Sequence, residues 1–380
     1  MRILHITPFF YEGLNYQEES LAITQSEIGH DVFVIKPNYV SKNERLSSQS
    51  LKKDIKRRFS VIELNLIFNI RSRILFKDLY SAVKKISPDI IHCHCFLHPH
   101  TIQVCLISRL TKIPIVFDDH CSDFNTRINF FTKLMYKFIF YTVSLIYKRP
   151  RIILTAEDVQ SFWKQVFNYL PPNQGLIRSG VSKFFSSNTP KIENERDTLN
   201  IIHIGANIND RKGLERIFKS LDLIKNEKQI LFRIVGNIQE DYMQKLRNTS
   251  EDYKNLTIQF TGLKSGNDLL ESIIDFDIAF WPKDISISAL LAMSQGSFLI
   301  CESRGDYEKH LVSSGGGKTF PPGDFNKLAS ILNKLIEDKE YLLDGRQKAR
   351  DFILENHTWE SISEKFLQEY KREICIRSKS

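Results

Sequence analysis

The residues best suited to chemistry lie in one stretch, Phe280 to Gly305, FWPKDISISALLAMSQGSFLICESRG. Ile278–Trp281 reads as a buried strand that Pro282 ends. Asp284, Ser286 and Ser288 stand where a helix N-cap belongs, ahead of a helical run over Ala289–Ser294 that Gly296 stops. Phe298–Cys301 is the next strand. A helix that opens just past the C-terminal end of a strand offers backbone N–H groups and the positive end of its dipole to an anion. A second group, His92, Cys93, His94, Cys95, His98, His100, His120 and Cys121, has the ligand chemistry of a zinc site. Strand alternation, however, sends His92 and His94 to the opposite face from Cys93 and Cys95. Four tetrahedral ligands would need two strand ends and a loop to converge, so these cysteines read as core and no metal is expected. No G-x-S-x-G elbow and no Walker loop occurs, which argues against a serine hydrolase and a P-loop enzyme. The first strand–helix turn keeps only Gly13, so the dinucleotide fingerprint G-x-G-x-x-G is missing.

The elements that position these residues alternate between strand and helix. Arg2–Thr7, a loop, the helical spacing of Glu18–Ile28 closed by Gly29, and the strand His30–Lys36 make a βαβ unit, hence a parallel sheet. Residues 41–59 are polar and basic and predict an exposed excursion. Val61–Asn69 predicts a strand, Leu75–Ile86 a helix, Asp89–Cys95 a strand, Thr101–Leu110 a helix and Ile113–Phe117 a strand. The strand Arg151–Thr155 and the helix Val159–Tyr169 follow, and residues 186–198 carry no apolar pattern and read as a linker. The alternation then restarts: Leu199–Gly205, a polar loop, the helix Leu214–Ile224, Ile230–Val235 closed by Gly236, Leu256–Thr261 closed by Gly262, and the opening stretch. Phe325–Ile336, Tyr341–Asn356 and Trp359–Ile374 predict the closing helices.

With 380 residues, 42% of them apolar and 26% charged, two soluble domains are the expected organisation. No run long enough to span a bilayer and no signal-peptide pattern is present. Six cysteines without framework spacing fit a reducing cytoplasm without disulfides. The charge is lopsided: residues 1–185 hold 25 Lys and Arg against 15 Asp and Glu, the remainder 28 against 30. That asymmetry suggests an anionic partner for the first half (a membrane surface, a phosphate-bearing lipid or nucleic acid), the alternative being surface charge that serves solubility. Residues 127–151 are aromatic and basic, and Phe130, Phe131, Leu134, Phe138 and Tyr141 share one helical face interrupted by Lys133 and Lys137. Such a helix either lies in a membrane interface, with Lys133, Lys137, Phe130 and Phe138 in contact, or packs on its own sheet with lysine stems over apolar surface. KKDIKRR at 52–58 raises nucleic acid as a partner, but no aromatic stacking module accompanies it, and none is expected.

Taken together the chain resembles the retaining glycosyltransferases of the family 4-like group, which have the GT-B fold. The resemblance covers nearly the whole chain. It is carried by GHDV at 29–32, PDIIHCH at 88–94, IPIVFDDH at 113–120, HIGANINDRKGLE at 203–215, RIVGN at 233–237 and LLAMSQG at 290–296. It implies an α/β fold of two Rossmann-like domains with parallel sheets facing across a cleft. Their bounds would be residues 1–185 on the acceptor side, 186–356 on the nucleotide-sugar side, and a helix over 357–380 crossing back. It implies Lys212 as the diphosphate lysine and His120 as the active-site histidine. The donor would lie against Gly205, Asn207, Lys212, Gly213, Gly236, Leu263, Pro282, Lys283, Ser286 and Ser288, the acceptor near Tyr11, Gly13 and His94.

The same alignment places Lys283 and Leu291 where the family carries two glutamates, and Ala206 where it often carries an arginine. Three expectations follow: a divergent transferase that uses Lys283, Ser286 and Ser288, a scaffold or partner subunit with little activity, or other chemistry on this fold such as epimerisation of a nucleotide sugar. The expected enzyme is a cytoplasmic hexosyltransferase, peripheral on the inner face of the cell membrane. It would need no cofactor, its co-substrate being a nucleoside diphosphate sugar, and it would serve a glycan or lipid-linked acceptor in surface polysaccharide biosynthesis.

Overall fold

The structure is a computed structural model that describes residues 1–10, 16–38, 58–70, 73–122, 126–182, 185, 197–224, 228–264, 266–283 and 285–378. Two compact units result. One comprises Met1–Ser179 with Trp359–Ser380, the other Gly180–Thr358. Tyr11, Gly13, Asp284, the basic excursion over 41–57 and most of the expected linker lie outside the described residues.

The first unit begins with β1 (Arg2–Ile6), α1 (Gln17–Glu27), β2 (Asp31–Pro37) and β3 (Ser60–Leu64). The single strand expected over Val61–Asn69 breaks at Asn65. Its second half, β4 (Leu66–Ile70), turns away to form an antiparallel hairpin with β5 (Arg73–Phe76). The next helix, α2 (Leu79–Ile86), therefore starts four residues later than its apolar period suggests. Then come β6 (Ile90–Cys93), α3 (His100–Thr111), β7 (Ile115–Asp119), α4 (Phe130–Ile146), β8 (Arg151–Leu154), α5 (Glu157–Phe167) and the short β9 (Gln174–Leu176), for which the sequence gives no strand pattern.

The sheet is parallel, in the order β3-β2-β1-β6-β7-β8-β9. One face is apolar: Leu4, Ile6, Ile91, Cys93, Ile115 and Phe117 pack with Val104, Phe140 and Trp163. The other face carries His5, His92, His94 and Asp118, all buried. α1 and the C-terminal helix (Trp359–Ser378) lie on that side. That helix is stapled to the unit by a bidentate pair from Arg151 to Glu369, at 2.7 and 2.6 Å, and by Tyr147 donating to Glu373 at 2.9 Å.

The second unit holds β10 (Thr198–Ile208), a 3₁₀ turn (Asp210–Lys212), α6 (Arg216–Leu221), β11 (Gln229–Ile238), α7 (Glu240–Ser250), β12 (Leu256–Phe260) and α8 (Gly266–Ile273). β13 (Ile278–Trp281), α9 (Ser288–Ser294), β14 (Phe298–Glu302), α10 (Asp306–Leu311), β15 (Gly317–Phe320), α11 (Phe325–Glu337) and α12 (Lys339–Asn356) complete it. Its sheet is also parallel, in the order β12-β11-β10-β13-β14-β15. Gly180–Phe185 go with this unit rather than with the first, where the sequence expectation put them. The reason is packing: Val181 and Phe185 bury among Trp281, Leu290 and Ile353, and Gln295 donates to the carbonyl of Phe185.

In each sheet the strand order reverses once, between β1 and β6 in the first unit and between β10 and β13 in the second. Ligands of open parallel sheets sit beyond the strand C-termini at that reversal.

Candidate active site

At the β10/β13 reversal the two polar loops of the second unit meet. β10 bulges between Gly205 and Asn207, then turns through Asp210–Lys212 into Gly213, whose φ of +65° is the left-handed region. A Cβ placed on Gly213 would stand 3.5 Å from Cβ of Lys283, so the Lys212 loop and the elbow after β13 lie against each other. Gly236 is required by a closer approach. At φ +144°, its Cβ would fall 1.7 Å from the Gly205 carbonyl oxygen. Asn207 and Leu263 are exposed at this end of the sheet and Pro282 is buried. The amides of the Lys212 loop are satisfied within it. Arg211 N–H donates to Asn209 Oδ1, Lys212 N–H to the Asn209 carbonyl, and Gly213 N–H to the Asp210 carbonyl, at 3.1, 2.9 and 3.1 Å. What this loop offers an anion is therefore the lysine and not a cradle of N–H groups.

The elbow serines have a different task from the one the sequence suggests. Trp281 Nε1–H donates to Ser286 Oγ at 3.1 Å, Ser286 and Ser288 share a bond of 2.8 Å, and Ser288 donates to the Ile204 carbonyl at 2.7 Å. One hydrogen is available per hydroxyl, so the chain runs Trp281 to Ser286 to Ser288 to Ile204. Both serine hydrogens are spent tying the elbow to β10, and neither is left for a diphosphate. α9 has seven residues, and its first N–H groups also turn inward, Ala289 to the Ser286 carbonyl and Leu290 to that of Ile287. The expected helix-dipole anion site gains no support from this geometry.

Three groups that the sequence did not single out hold the elbow from below. Glu302, at the end of β14, is fully buried and pairs with Arg216 and, at 2.6 Å, with Arg304. Arg216 also donates to the Pro282 carbonyl at 2.9 Å. His203 is buried under Trp281, and its Nδ1–H donates to the Phe280 carbonyl at 2.9 Å. Burial, with a smaller contribution from the charge of Lys212, pushes His203 down to about 3, so it is neutral.

In the first unit the reversal lies over a closed ring of buried side chains. His94 Nδ1 meets Asp118 Oδ2 at 2.6 Å, and His94 Nε2 meets His5 Nδ1 at 2.9 Å. His5 Nε2 meets Gln25 Oε1 at 2.9 Å, Gln25 Nε2 meets the Tyr370 hydroxyl at 3.3 Å, and that hydroxyl meets His92 Nδ1 at 2.7 Å. His92 Nε2 closes the circle 3.1 Å from Asp118 Oδ2. The register His5↔His92 across β1 and β6, together with strand alternation, puts these groups on one face.

The network assigns the protons. Asp118 is ionised: burial alone would raise it, but His94, His120 and His92 together hold it well below the usual carboxylate range. It can only accept, so His94 Nδ1 and His92 Nε2 both carry hydrogens. His92, pushed down to about 4 by burial and by His94, is neutral and accepts from Tyr370. Tyr370 in turn accepts from Gln25, whose carbonyl then faces His5 Nε2–H. Burial and the neighbouring histidines push His5 well below its ordinary value, so its Nδ1 accepts. His94 lies between the two, with Nδ1 on Asp118 and Nε2 on His5.

Asp118 also accepts from Gln17 Nε2 at 2.8 Å and from the Cys95 amide at 3.0 Å. Its other neighbour is His120, whose Nε2 lies 3.4 Å from Oδ1 and whose side chain is 29% exposed. Burial lowers His120, but Asp118 outweighs it, with help from Glu18 and Asp119, and the net position is about 9. His120 is thus a charged, partly accessible N–H donor at the end of β7. His94, expected on the acceptor side, is corrected: it is fully buried and both nitrogens are consumed by Asp118 and His5. His5, His92 and His94 bring ligand atoms within 4.8 Å of one another, as do Glu18, His94 and His120. A cation on the first set would have to displace the bonds of His94 to Asp118 and of His5 to His94 and Gln25. The cysteines of the group weighed as zinc ligands, Cys93, Cys95 and Cys121, are buried, and Cys93 and Cys121 belong to the apolar core of the first unit.

Residues 186–352 match the family described as Glycosyl transferases group 1. The match lies within the second unit. The chain is 24% identical over 325 residues to an uncharacterized glycosyltransferase, MJ1069, of Methanocaldococcus jannaschii, covering 80% of this chain and 79% of that one. Among solved structures it resembles a glycosyltransferase from Rickettsia africae with a TM-score of 0.72 at 16% identity, over 98% of each chain. It also resembles HepE of Anabaena, solved in complex with UDP, with a TM-score of 0.70 at 14% identity, over 98% of this chain and 100% of that one. The two parallel-sheet units have the GT-B architecture of these neighbours. Lys212, Gly213, Lys283 and Glu302 fall inside the matched domain, and the His120 ring falls outside it.

Proposed function

We propose that the protein is a retaining glycosyltransferase that moves a hexose-type sugar from a nucleoside diphosphate to a glycan or lipid-linked acceptor, working from the cytoplasm in surface polysaccharide assembly. The observation that carries this reading is the meeting of the Lys212–Gly213 loop with the Lys283 elbow at the β10/β13 reversal. Two lysines brought to one strand edge can neutralise the charge that builds on a departing diphosphate. They occupy the role that an arginine at Ala206 would otherwise share. HepE was solved with UDP and with UDP-glucose, which supports a nucleotide-sugar donor. His120, held charged by Asp118, is the proposed catalytic residue of the first unit.

The test is calorimetry of the full chain against UDP- and GDP-sugars, with Lys212→Ala and Lys283→Ala beside the parent. Each substitution is expected to weaken donor binding about tenfold or more, the worth of one hydrogen bond to a charged group. Undiminished binding by Lys212→Ala would remove that lysine from the site. A second reading, a sugar-binding partner subunit without turnover, is favoured by Leu291, which cannot accept the hydrogen bonds of a ribose. Failure of the parent to bind any donor would move the weight there.

A further inference from the structure

α4 is amphipathic in the wrong sense for a helix that simply covers its sheet. Tyr136, Ile139, Phe140 and Val143 are buried, as the core requires. The opposite side carries Phe130, Phe131, Leu134, Phe138, Tyr141 and Leu145, which are between 54% and 80% exposed. At 3.6 residues per turn these six fall within an arc of about 100°. Lys133 and Lys137 flank that arc on one side. Side chains of this size at such exposure mark a surface that meets something other than water.

The sequence draws attention to this helix alone, but the fold adds two neighbours. α3 packs on both α4 and β5, and it exposes Leu106 and Leu110 beside Arg109. The β4–β5 hairpin exposes Ile67, Phe68 and Ile70. Arg73, the register partner of Ile70, reaches Met135 Sδ of α4 at 3.3 Å and the Tyr136 hydroxyl at 3.5 Å. The hairpin is thereby tied to the N-terminal half of α4.

We propose that α3, α4 and the β4–β5 hairpin form one docking face that seats the first unit on an anionic lipid bilayer, with the aromatic and aliphatic side chains entering the interface and the basic side chains among the headgroups. Charge decides the occupant. From Thr126 to Pro150 there are five basic residues, Arg127, Lys133, Lys137, Lys148 and Arg149, none of them buried, and no acidic one. An isologous contact with a second copy would set this basic surface against itself. A bilayer carrying acidic headgroups attracts it and accepts the apolar row at the same time. Among the described residues no helix is long and apolar enough to cross a membrane, so the contact is a surface one. This inference goes beyond the donor reading and does not depend on it, because vesicle binding needs no turnover.

The test is flotation of the full chain with vesicles of phosphatidylcholine alone and of phosphatidylcholine mixed equally with phosphatidylglycerol. The parent is expected to float with the mixed vesicles and to lose that binding as salt rises. Three variants probe the three contributions: Lys133→Glu with Lys137→Glu, Phe131→Ser with Leu145→Ser, and Ile67→Ser with Ile70→Ser. Each is expected to lose binding by about tenfold or more, since each exposed lysine alone is worth severalfold at such a surface. All the substituted side chains are at the surface, so unchanged circular dichroism and thermal unfolding will accompany the loss. A parent that stays with neither vesicle, or charge-reversed protein that floats as well as the parent, overturns the proposal. A hairpin variant that floats unchanged overturns the three-element face. A dimer in solution that Phe131→Ser dissociates, with no vesicle binding, assigns the face to a second copy and overturns it as well.

Discussion

Replacing Tyr370 by phenylalanine keeps the aromatic ring against His92 and Phe366 and removes one hydroxyl. That hydroxyl has two partners in the ring, Gln25 at 3.3 Å and His92 at 2.7 Å, and all three side chains are fully buried. The substitution strands a donor on Gln25 and an acceptor on His92. Each orphaned buried group costs about 1–3 kcal/mol, and the longer Gln25 bond belongs at the low end. The expected loss is roughly 2–4 kcal/mol, all of it in the first unit, because Tyr370 lies on the C-terminal helix that docks there. For a unit of this size that is a fall of about 5–15 °C in its thermal midpoint. Calorimetric scans should show the transition of the first unit moving while that of the second stays, and hydrogen exchange should speed up along the C-terminal helix. Gln25→Leu is expected to be costly too. Combined with Tyr370→Phe, it should cost at least 1 kcal/mol less than the sum, because both single variants lose the same Gln25–Tyr370 bond and the double variant loses it once. A Tyr370→Phe protein within about 0.5 kcal/mol of the parent, or a strictly additive double variant, would refute the closed ring and the proton assignment drawn from it.

Other outcomes are as definite. Gly236→Ala forces a Cβ to within 1.7 Å of a backbone oxygen and should prevent the second unit from folding, whereas Gly262→Ala, at φ +70° with open space around it, should cost only about 1–2 kcal/mol; soluble yield and thermal unfolding of the two variants check this. Glu302→Gln leaves two partly exposed guanidinium groups without their buried anion and should destabilise the second unit by about 2 kcal/mol, seen as a lower denaturant midpoint. Acid should weaken the protein through histidines. His92, His100 and His203 are pushed by burial to about 4, 3 and 3, so below pH 6.5 the unfolded chain binds protons that the folded one refuses. Stability then falls as pH drops from about 6.5 to 4, by up to about 1.4 kcal/mol per pH unit for each such histidine. His120 works in the other direction: its raised position gives stability that is complete below pH 6.5 and lost as pH rises toward 9, and His120→Gln should flatten that alkaline limb of a stability–pH profile.

The alternation of strands and helices was legible because each half repeats a short apolar run, a turn residue and a helical period. Asn65 shows where that reading stops. Nothing in VIELNLIFNI says that the strand breaks in the middle, since both halves have β propensity and the break is made by a hairpin partner that follows. The ring around Asp118 was only half legible. His92 and His94 share a face by alternation alone, but Asp118 and His5 join them through the registers of β7 and β1 on β6. Gln25 and Tyr370, though hydrogen-bonded, are 345 positions apart in the chain. No local pattern can reveal a partner at that separation. Lys212 and His120 were found through resemblance to a family, and the structure gives them physical settings that the resemblance lacked.

The elbow after β13 is where sequence and structure part most instructively. Proline, an acidic residue and two serines ahead of a short helix form a pattern that fits two physical arrangements. In one the hydroxyls and first amides face an incoming anion; in the other they face the protein. Which one holds depends on whether a buried donor and an unpaired strand-end carbonyl stand within reach, and Trp281 and the Ile204 carbonyl both do. The serines therefore fix the position of the elbow, and any charge it brings to a diphosphate comes from Lys283. The two roles separate by experiment. Lys283→Ala should weaken donor binding and leave the thermal midpoint of the second unit in place. Ser288→Ala strands the Ser286 hydroxyl and the Ile204 carbonyl and should lower that midpoint, with donor affinity falling only as far as the elbow loosens. A Ser288→Ala protein that lost donor affinity with its stability intact would return the hydroxyl to the ligand and undo this assignment.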